Sequence, residues 1–381
     1  MLGESPLSFL EFFAGGGLAR VGLGEAWRCV FANDWDGMKA RAYRRAFGGQ
    51  DLVEGDVSRL EPDQLPTADL AWASFPCQDL SLAGPREGLA GARSGVFFAF
   101  WKLIEALDAA KRGPPLIMLE NVRGLASARG GRDLATVITT LSGSGRFIGV
   151  LELDARWFTP QSRPRLFVLA SRAAPKWARS DAPLPYLHPP ALQRLAAALP
   201  PAALARWVWW RTPPPPARNA RLADILDGPE TPDLAWHSPE QTARLLAMLS
   251  PSSAAELERL RGREQRAVGA YFRRMRQDGG LPVQRVEARF DGLAGCLRTP
   301  RGGSSRQGLL FAEGAETRSR LLRAREAARL MGLPEDYPLP ERESDALALL
   351  GDGVAPPVVA WLSRHLLQPL ALSRQPAASA A

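Results

Sequence analysis

Between residues 7 and 171, short and mostly apolar runs alternate with longer stretches in which apolar side chains return every three to four positions. The runs at residues 7–13, 29–33, 70–75, 116–120, 147–153 and 166–170 have the length and composition of strands buried on both faces. Residues 38–47, 96–110 and 133–141 carry the helical period. This alternation predicts a doubly wound α/β sheet, because parallel strands must be joined by helical crossovers. From about Ala173 the pattern stops. Pro189-Pro190, Pro200-Pro201 and the proline run at 213–216 interrupt any long element. A helical period returns over 319–331 and again over 355–367. The predicted organisation is a first domain at 1–172, a second, smaller one at 173–310, a segment at 311–372 returning to the first, and a disordered tail at 373–381.

Composition narrows the class. With 381 residues and 46% hydrophobic content, the chain can fill two cores. Cys29, Cys77 and Cys296 are too few and too scattered for a disulfide framework, and no CxxC or paired-histidine spacing points to a metal. A reducing cytosol fits. Residues 1–8 lack a charged stretch followed by an apolar core, and no later apolar run reads as long enough to cross a bilayer, so neither secretion nor a membrane is expected. The net charge is +8, which makes an acidic polymer a natural partner. Arginine greatly outnumbers lysine, an imprint of a GC-rich genome, so the distribution of charge says more than its sum. From Arg172 to Arg298 there are 19 Lys+Arg against 12 Asp+Glu, which places seven of the eight excess charges in one region.

The chemistry gathers at the ends of the predicted strands. Phe75-Pro76-Cys77-Gln78 puts a thiol at the carboxyl edge of the sheet, where open α/β folds place their ligands. An isolated cysteine is more often just packed. The turn Phe13-Ala14-Gly15-Gly16-Gly17 lets a ligand approach the backbone and the following helix N-terminus, or serves as a tight structural turn. Asp34-Trp35 offers a carboxylate for two ribose hydroxyls and an indole face for a purine; a helix N-cap and a core or surface role are the alternatives. Asp56 can take a hydrogen bond from an adenine amino group. Glu120-Asn121 closes a strand beside that of Cys77, where the glutamate is a proton donor or a solvated strand end. Arg163 and Arg165, at i and i+2 on an extended segment, point the same way and can lower the thiol pKa, unless they are ordinary edge charges. Arg206-Trp207-Val208-Trp209-Trp210-Arg211 reads as the core of a small domain rather than a base-stacking surface.

In combination and order these segments resemble the DNA (cytosine-5)-methyltransferases of bacterial restriction-modification systems. The matching stretches are 12–17, Asn33-Asp34-Trp35-Asp36, Gly55-Asp56-Val57, Phe75-Pro76-Cys77-Gln78, Glu120-Asn121-Val122, Gln161-Ser162-Arg163-Pro164-Arg165 and Gly351-Asp352-Gly353-Val354. The resemblance implies an S-adenosylmethionine-dependent methyltransferase sheet with a smaller target-recognition domain, methylating carbon 5 of a cytosine flipped out of duplex DNA in a bacterial cytoplasm, with a restriction endonuclease as a possible companion. Cys77 would add to carbon 6 and Glu120 would protonate nitrogen 3. Arg165 would hold the cytosine carbonyl, Arg163 would support the catalytic loop, and Asn121 would order the Pro76-Cys77 turn. S-adenosylmethionine would meet Phe13, Gly15, Gly17, Asp34, Trp35, Asp56, Val57, Pro76, Asp352 and Val354. DNA would meet Gln78, Ser81 and Arg93, together with Arg298, Arg301 and Arg306 in the glycine-rich stretch 292–306, which otherwise reads as a solvated loop. Two positions depart from the family pattern: Asp352 stands where asparagine is common, and Cys296-Leu297 stands where Thr-Leu is usual. Two other readings stay open, a relative acting on tRNA and a DNA-binding protein that kept the fold without catalysis.

Overall fold

The computed structural model describes residues 6–76, 95–228, 230–261, 266–299 and 306–373, apart from the side chain of Asp278. Cys77, Gln78, Ser81, Arg93 and Arg301 lie outside the described residues. Two compact units emerge, one of residues 1–154, 164–215 and 354–381, the other of 155–163 and 216–353.

The first unit is built on seven strands: β1 (Leu7–Phe12), β2 (Trp27–Asp34), β3 (Leu52–Glu54), β4 (Leu70–Ala73), β5 (Leu116–Val122), β6 (Phe147–Asp154) and β7 (Pro164–Ser171), in the order β3-β2-β1-β4-β5-β7-β6. The pairs β2–β3, β1–β2, β1–β4 and β4–β5 are parallel. β7 runs antiparallel between β5 and β6. Each predicted strand is present within two residues of its expected ends, because a run buried on both faces has few alternative registers. Helix Gly95–Ala109 buries Phe97, Phe100, Trp101, Ile104 and Leu107, one face at helical spacing, and Phe12 meets Phe100 edge to face at 4.9 Å. Each such ring contributes about 1.5–3 kcal/mol.

The texture change at Ala173 is not a boundary between units. Residues 173–215 stay with the sheet: Trp207 bridges to Ile148, and β8 (Arg179–Ser180) pairs with β9 (Trp209–Trp210). Trp210 is fully buried, with its indole nitrogen donating to the Leu169 carbonyl at 3.2 Å. Gly149 makes room for it, since a Cβ there would stand 2.2 Å from the Val208 carbonyl oxygen. The tryptophan cluster is core, as expected, but core of the first unit.

The second unit holds a four-stranded antiparallel sheet, β11-β10-β12-β13, of β10 (Ala267–Asp278), β11 (Leu281–Arg289), β12 (Gly308–Glu313) and β13 (Glu316–Leu321). Leu245, Leu249, Leu257, Tyr271, Val286 and Leu310 form its core. The helix expected over 319–331 is instead β13 followed by a helix confined to Ala324–Met331. Pairing with β12 overrides the local period, and Arg320, 1% exposed, is held by both oxygens of the buried Glu326. The segment Glu343–Leu372 is long and apolar enough to cross a membrane by composition, contrary to the sequence reading, but 78% of its window is buried inside the protein.

Candidate active site

Strand β1 ends in a turn with an unusual backbone. Phe13 has φ 56°, Gly15 58° and Gly17 74°, conformations that glycine adopts freely and phenylalanine does not. A Cβ on Gly17 would stand 2.3 Å from the Phe47 ring, so the turn needs glycine there to close against helix Gly37–Phe47. Beyond Gly15 a Cβ would meet nothing within 4 Å. The Gly15 amide donates to one oxygen of Asp34 at 2.7 Å, and the Asp36 amide donates to the other at 2.8 Å. Asp34 is therefore not the helix cap; Asp36 is, accepting from Met38 and Lys39. Burial pushes the Asp34 carboxyl above the usual carboxylate range, against the pull of these two amides. Each oxygen keeps a further lone pair for a hydroxyl donor.

Trp35 is 75% exposed, which leaves the indole outside the core. Asn33, which the sequence reading gave no role, donates its amide to the carbonyls of Val53 and Gly55 at 3.0 Å and so fixes the end of β3. The exposed Asp56 follows. It caps the turn Val57–Arg59 through the Ser58 amide at 2.8 Å, and that bond holds its carboxyl below the usual range. Val57 is buried.

On the other side of β1, the Asn121 amide donates to the Phe75 carbonyl at 3.1 Å. It thereby ties the end of β5 to the residue before Pro76-Cys77. Glu120 is 5% exposed and pairs with Arg165, whose Nε stands 3.1 Å from its Oε1, while the Arg165 Nη1 donates to the Pro164 carbonyl. In the β5–β7 register Val122 faces Arg165 and Glu120 faces Phe167, so the guanidinium and the carboxyl lie on one face two residues apart.

Arg163 does not point the same way as Arg165. Strand β7 starts only at Pro164, and Arg163 belongs to the second unit, so the two-residue period does not span the pair. There its buried guanidinium donates to the carbonyls of Leu297 (3.0 Å), Gly351 (2.7 Å) and Gly353 (2.6 Å) and lies 3.2 Å from Cys296 Sγ. The catalytic-loop contact expected of it concerns residues outside those described. Within the same unit Thr299 Oγ1 donates to Asp352, and Gly351 packs so closely that a Cβ would lie 2.6 Å from the Thr299 nitrogen. Both departures from the family pattern, Cys296 and Asp352, thus sit in one cluster organised by Arg163. Val354 is buried. Arg298 is exposed, whereas Arg306 donates to the Leu322 carbonyl at 2.9 Å and pairs with Glu343 at 2.5 Å. These two contacts hold the half-buried Arg306 beside an exposed carboxylate.

A model of the family described as C-5 cytosine-specific DNA methylases matches residues 7–368. The chain belongs to this family. Among its relatives, the type II methyltransferase M.NlaX of Neisseria lactamica is 26% identical over 361 residues, 94% of this chain and 95% of that protein. M.BsuFI of Bacillus subtilis is 31% identical over 165 residues, a match that spans 43% of this chain and 39% of the relative. The crystal structure of the S. pombe Dnmt2 methyltransferase superposes with a TM-score of 0.60 at 17% identity, covering 96% of this chain and 99% of that one, a likeness of fold. Membership makes the chain a cytosine carbon-5 methyltransferase of mixed α/β fold, and enzymes of this kind draw their methyl group from S-adenosylmethionine.

Two sets of residues went unnoticed in the sequence. Glu11, the last residue but one of β1, is 1% exposed, and burial pushes its carboxyl up to about 8. The other set is the arginines of β10 and β11; the signal that would have found these strands is the Asp278-Gly279-Gly280 turn between two arginine-bearing runs, Arg273, Arg274 and Arg276 before it and Arg285 and Arg289 after it.

Proposed function

We propose that this chain methylates carbon 5 of one cytosine within a specific sequence of duplex DNA, with Cys77 as nucleophile and Glu120 as proton donor. The observation that supports it best is the pairing of the buried Glu120 with Arg165 next to Asn121, whose amide holds the backbone just before Pro76-Cys77. Carbon 5 of cytosine is a poor nucleophile. Addition of the Cys77 thiolate to carbon 6, with Glu120 delivering a proton to nitrogen 3, makes carbon 5 an enamine carbon. Because attack comes perpendicular to the ring and nitrogen 3 is paired in the duplex, the base must leave the stack. Arg165 anchors the Glu120 carboxyl and stands ready for the cytosine carbonyl. Loss of the carbon 5 proton then expels Cys77.

The residues around β1–β3 fit S-adenosylmethionine, which supplies an electrophilic sulfonium methyl when bound. Asp34 presents oriented oxygens for ribose hydroxyls, Gly15 leaves open space, Trp35 offers an uncovered ring, and Asp56 is exposed at the turn. Phe13, Gly17, Val57 and Pro76 complete the wall, and Asp352 and Val354 remain candidates by resemblance. Double-stranded DNA is the substrate, read by the second unit. A companion restriction endonuclease is consistent with the relatives.

The test is transfer of labelled methyl groups into duplex DNA, with DNase and RNase digestion of the products. Wild type should label DNA and trap a covalent adduct on duplexes containing 5-fluorocytosine; Cys77→Ser should bind DNA and label nothing, and Glu120→Gln should lose most of its rate. Full turnover by Cys77→Ser would remove the nucleophile from this scheme. RNase-sensitive label would replace DNA by RNA as substrate.

A further inference from the structure

Strand β3 has only three residues, Leu52–Glu54, lies at the edge of the seven-stranded sheet, and leaves Val53 and Glu54 exposed. Burial therefore does little to hold it, and so short an edge strand needs another fastening. Beyond it the chain turns through Gly55 to Asp56, whose exposed carboxylate caps the turn Val57–Arg59.

Asn33 provides the fastening. It stands opposite Val53 in the β2–β3 register and is 1% exposed. Its side-chain amide donates to the carbonyls of Val53 and Gly55, each at 3.0 Å. An amide nitrogen has two such donors, and here they straddle Glu54, fixing the direction as well as the position of the chain as it leaves the strand. The main chain of Asn33 works toward the other side: the Ala14 amide donates to its carbonyl at 2.9 Å, next to the bond from the Gly15 amide to Asp34 at 2.7 Å. The Gly55 amide donates in turn to the Asp34 carbonyl at 2.9 Å. The turn after β1, the end of β2 and the start of the Asp56 turn are thus one hydrogen-bonded frame with Asn33 at its centre. A polar amide buried this deeply costs free energy unless its hydrogens are used, so packing alone does not call for asparagine here.

We propose that Asn33 is a positioning residue for the adenine of S-adenosylmethionine, setting through the Val53 and Gly55 carbonyls where the Asp56 carboxylate meets the adenine amino group. The inference rests on the S-adenosylmethionine reading of this site and adds the residue that makes the Asp56 contact selective. A carboxylate on an exposed turn discriminates between an amino group and its replacement only where it is held to within about 0.5 Å of the productive place. Substitution of the Asn33 side chain leaves the main-chain bonds to Ala14 and Gly55 in place, so its effect should fall on the adenine end of the cofactor.

The experiment is calorimetric binding of S-adenosylhomocysteine, and of S-inosylhomocysteine, in which a carbonyl replaces the adenine amino group, to the full chain and to its Asn33→Ala, Asp56→Ala and double variants. Wild type should prefer the adenosine compound by about tenfold or more, since the replacing carbonyl would face a carboxylate. Asn33→Ala should lose most of this preference, as Asp56→Ala does, and the double variant should lose no more than either alone. A residue that merely supports the fold would weaken both compounds equally and leave their ratio untouched. Water can take over the carbonyls of the exposed Val53 and half-buried Gly55, so Asn33→Ala should stay folded, which melting transitions check. Asn33→Ser, with a single donor, is the second variant and should read the same way. A wild-type ratio in the folded Asn33 variants with a lost one in Asp56→Ala overturns the inference while the cofactor reading stands. A ratio unchanged in Asp56→Ala, or a wild type that binds neither compound, overturns both.

Discussion

At the scale of single residues, burial without full pairing is the recurring device. Glu11 lies between β1 and the helices Leu18–Leu23 and Gly37–Phe47, in the field of Arg20, Asp51 and Asp34, with Cys29 and Tyr43 close by. Arg20 is already committed to Tyr43 at 2.7 Å and Asp51 at 2.5 Å, so Glu11 keeps its proton and titrates near 8. The folded chain then holds a proton that the unfolded chain releases near 4.5. Stability from this group is complete below that value and falls as pH rises towards 8. Glu11→Gln should abolish this fall and melt higher than wild type at pH 8.5, with little difference at pH 5; thermal melts at the two pH values check it. Trp35 and Asp34 belong to the cofactor in the proposed site. Replacing either with alanine should raise KM for S-adenosylmethionine about tenfold or more and leave KM for DNA within about twofold, since a lost stack or hydrogen-bonded pair is worth about 1.4 kcal/mol or more. Equal rises in both constants would place the cofactor elsewhere.

At the scale of elements, side-chain partners across the chain decide where strands stop and helices start. Arg320 on β13 and Glu326 on helix Ala324–Met331 form a fully buried pair, and the same glutamate accepts from the Arg323 amide that opens the helix. Removing one member strands a buried charge. Glu326→Ala should therefore destabilise the chain by about 3–5 kcal/mol, whereas the pair Arg320→Met with Glu326→Leu should recover much of that loss. Denaturant titrations of the single and double variants give the comparison. The strand ends of the first unit behave differently: the Asn121 amide meets the Phe75 carbonyl across neighbouring strands, so two short motifs distant in sequence are welded by one hydrogen bond.

At the scale of the whole molecule, the two units divide the sequence differently from the charge: the basic stretch at 172–298 is split between them, because residues 173–215 stay with the first unit. Grafting residues 216–322 from a relative with a different site should transfer that site while leaving Cys77 chemistry intact, provided the graft keeps partners for Glu326 and Arg329. The latter pairs with Asp227 at 2.6 Å. Bisulfite sequencing reads the outcome, and a folded, active chimera that still methylates the original sequence would place recognition outside the second unit. The sequence by itself determined six of the seven strands of the first sheet, because wholly buried runs admit one reading, while the short and largely exposed β3 escaped it; it also determined the reaction, because seven short segments in a fixed order carry the family's chemistry. Tertiary structure alone decided the rest. Which partners each arginine takes was not legible: Arg163 holds the carbonyls of Leu297, Gly351 and Gly353, Arg165 pairs with Glu120 and Arg306 with Glu343, all contacts to residues distant in sequence. The unit boundary near residue 216 and the strand at Glu316–Leu321 were hidden for the same reason. A local period records which face is apolar, whereas pairing partners lie far along the chain and override it.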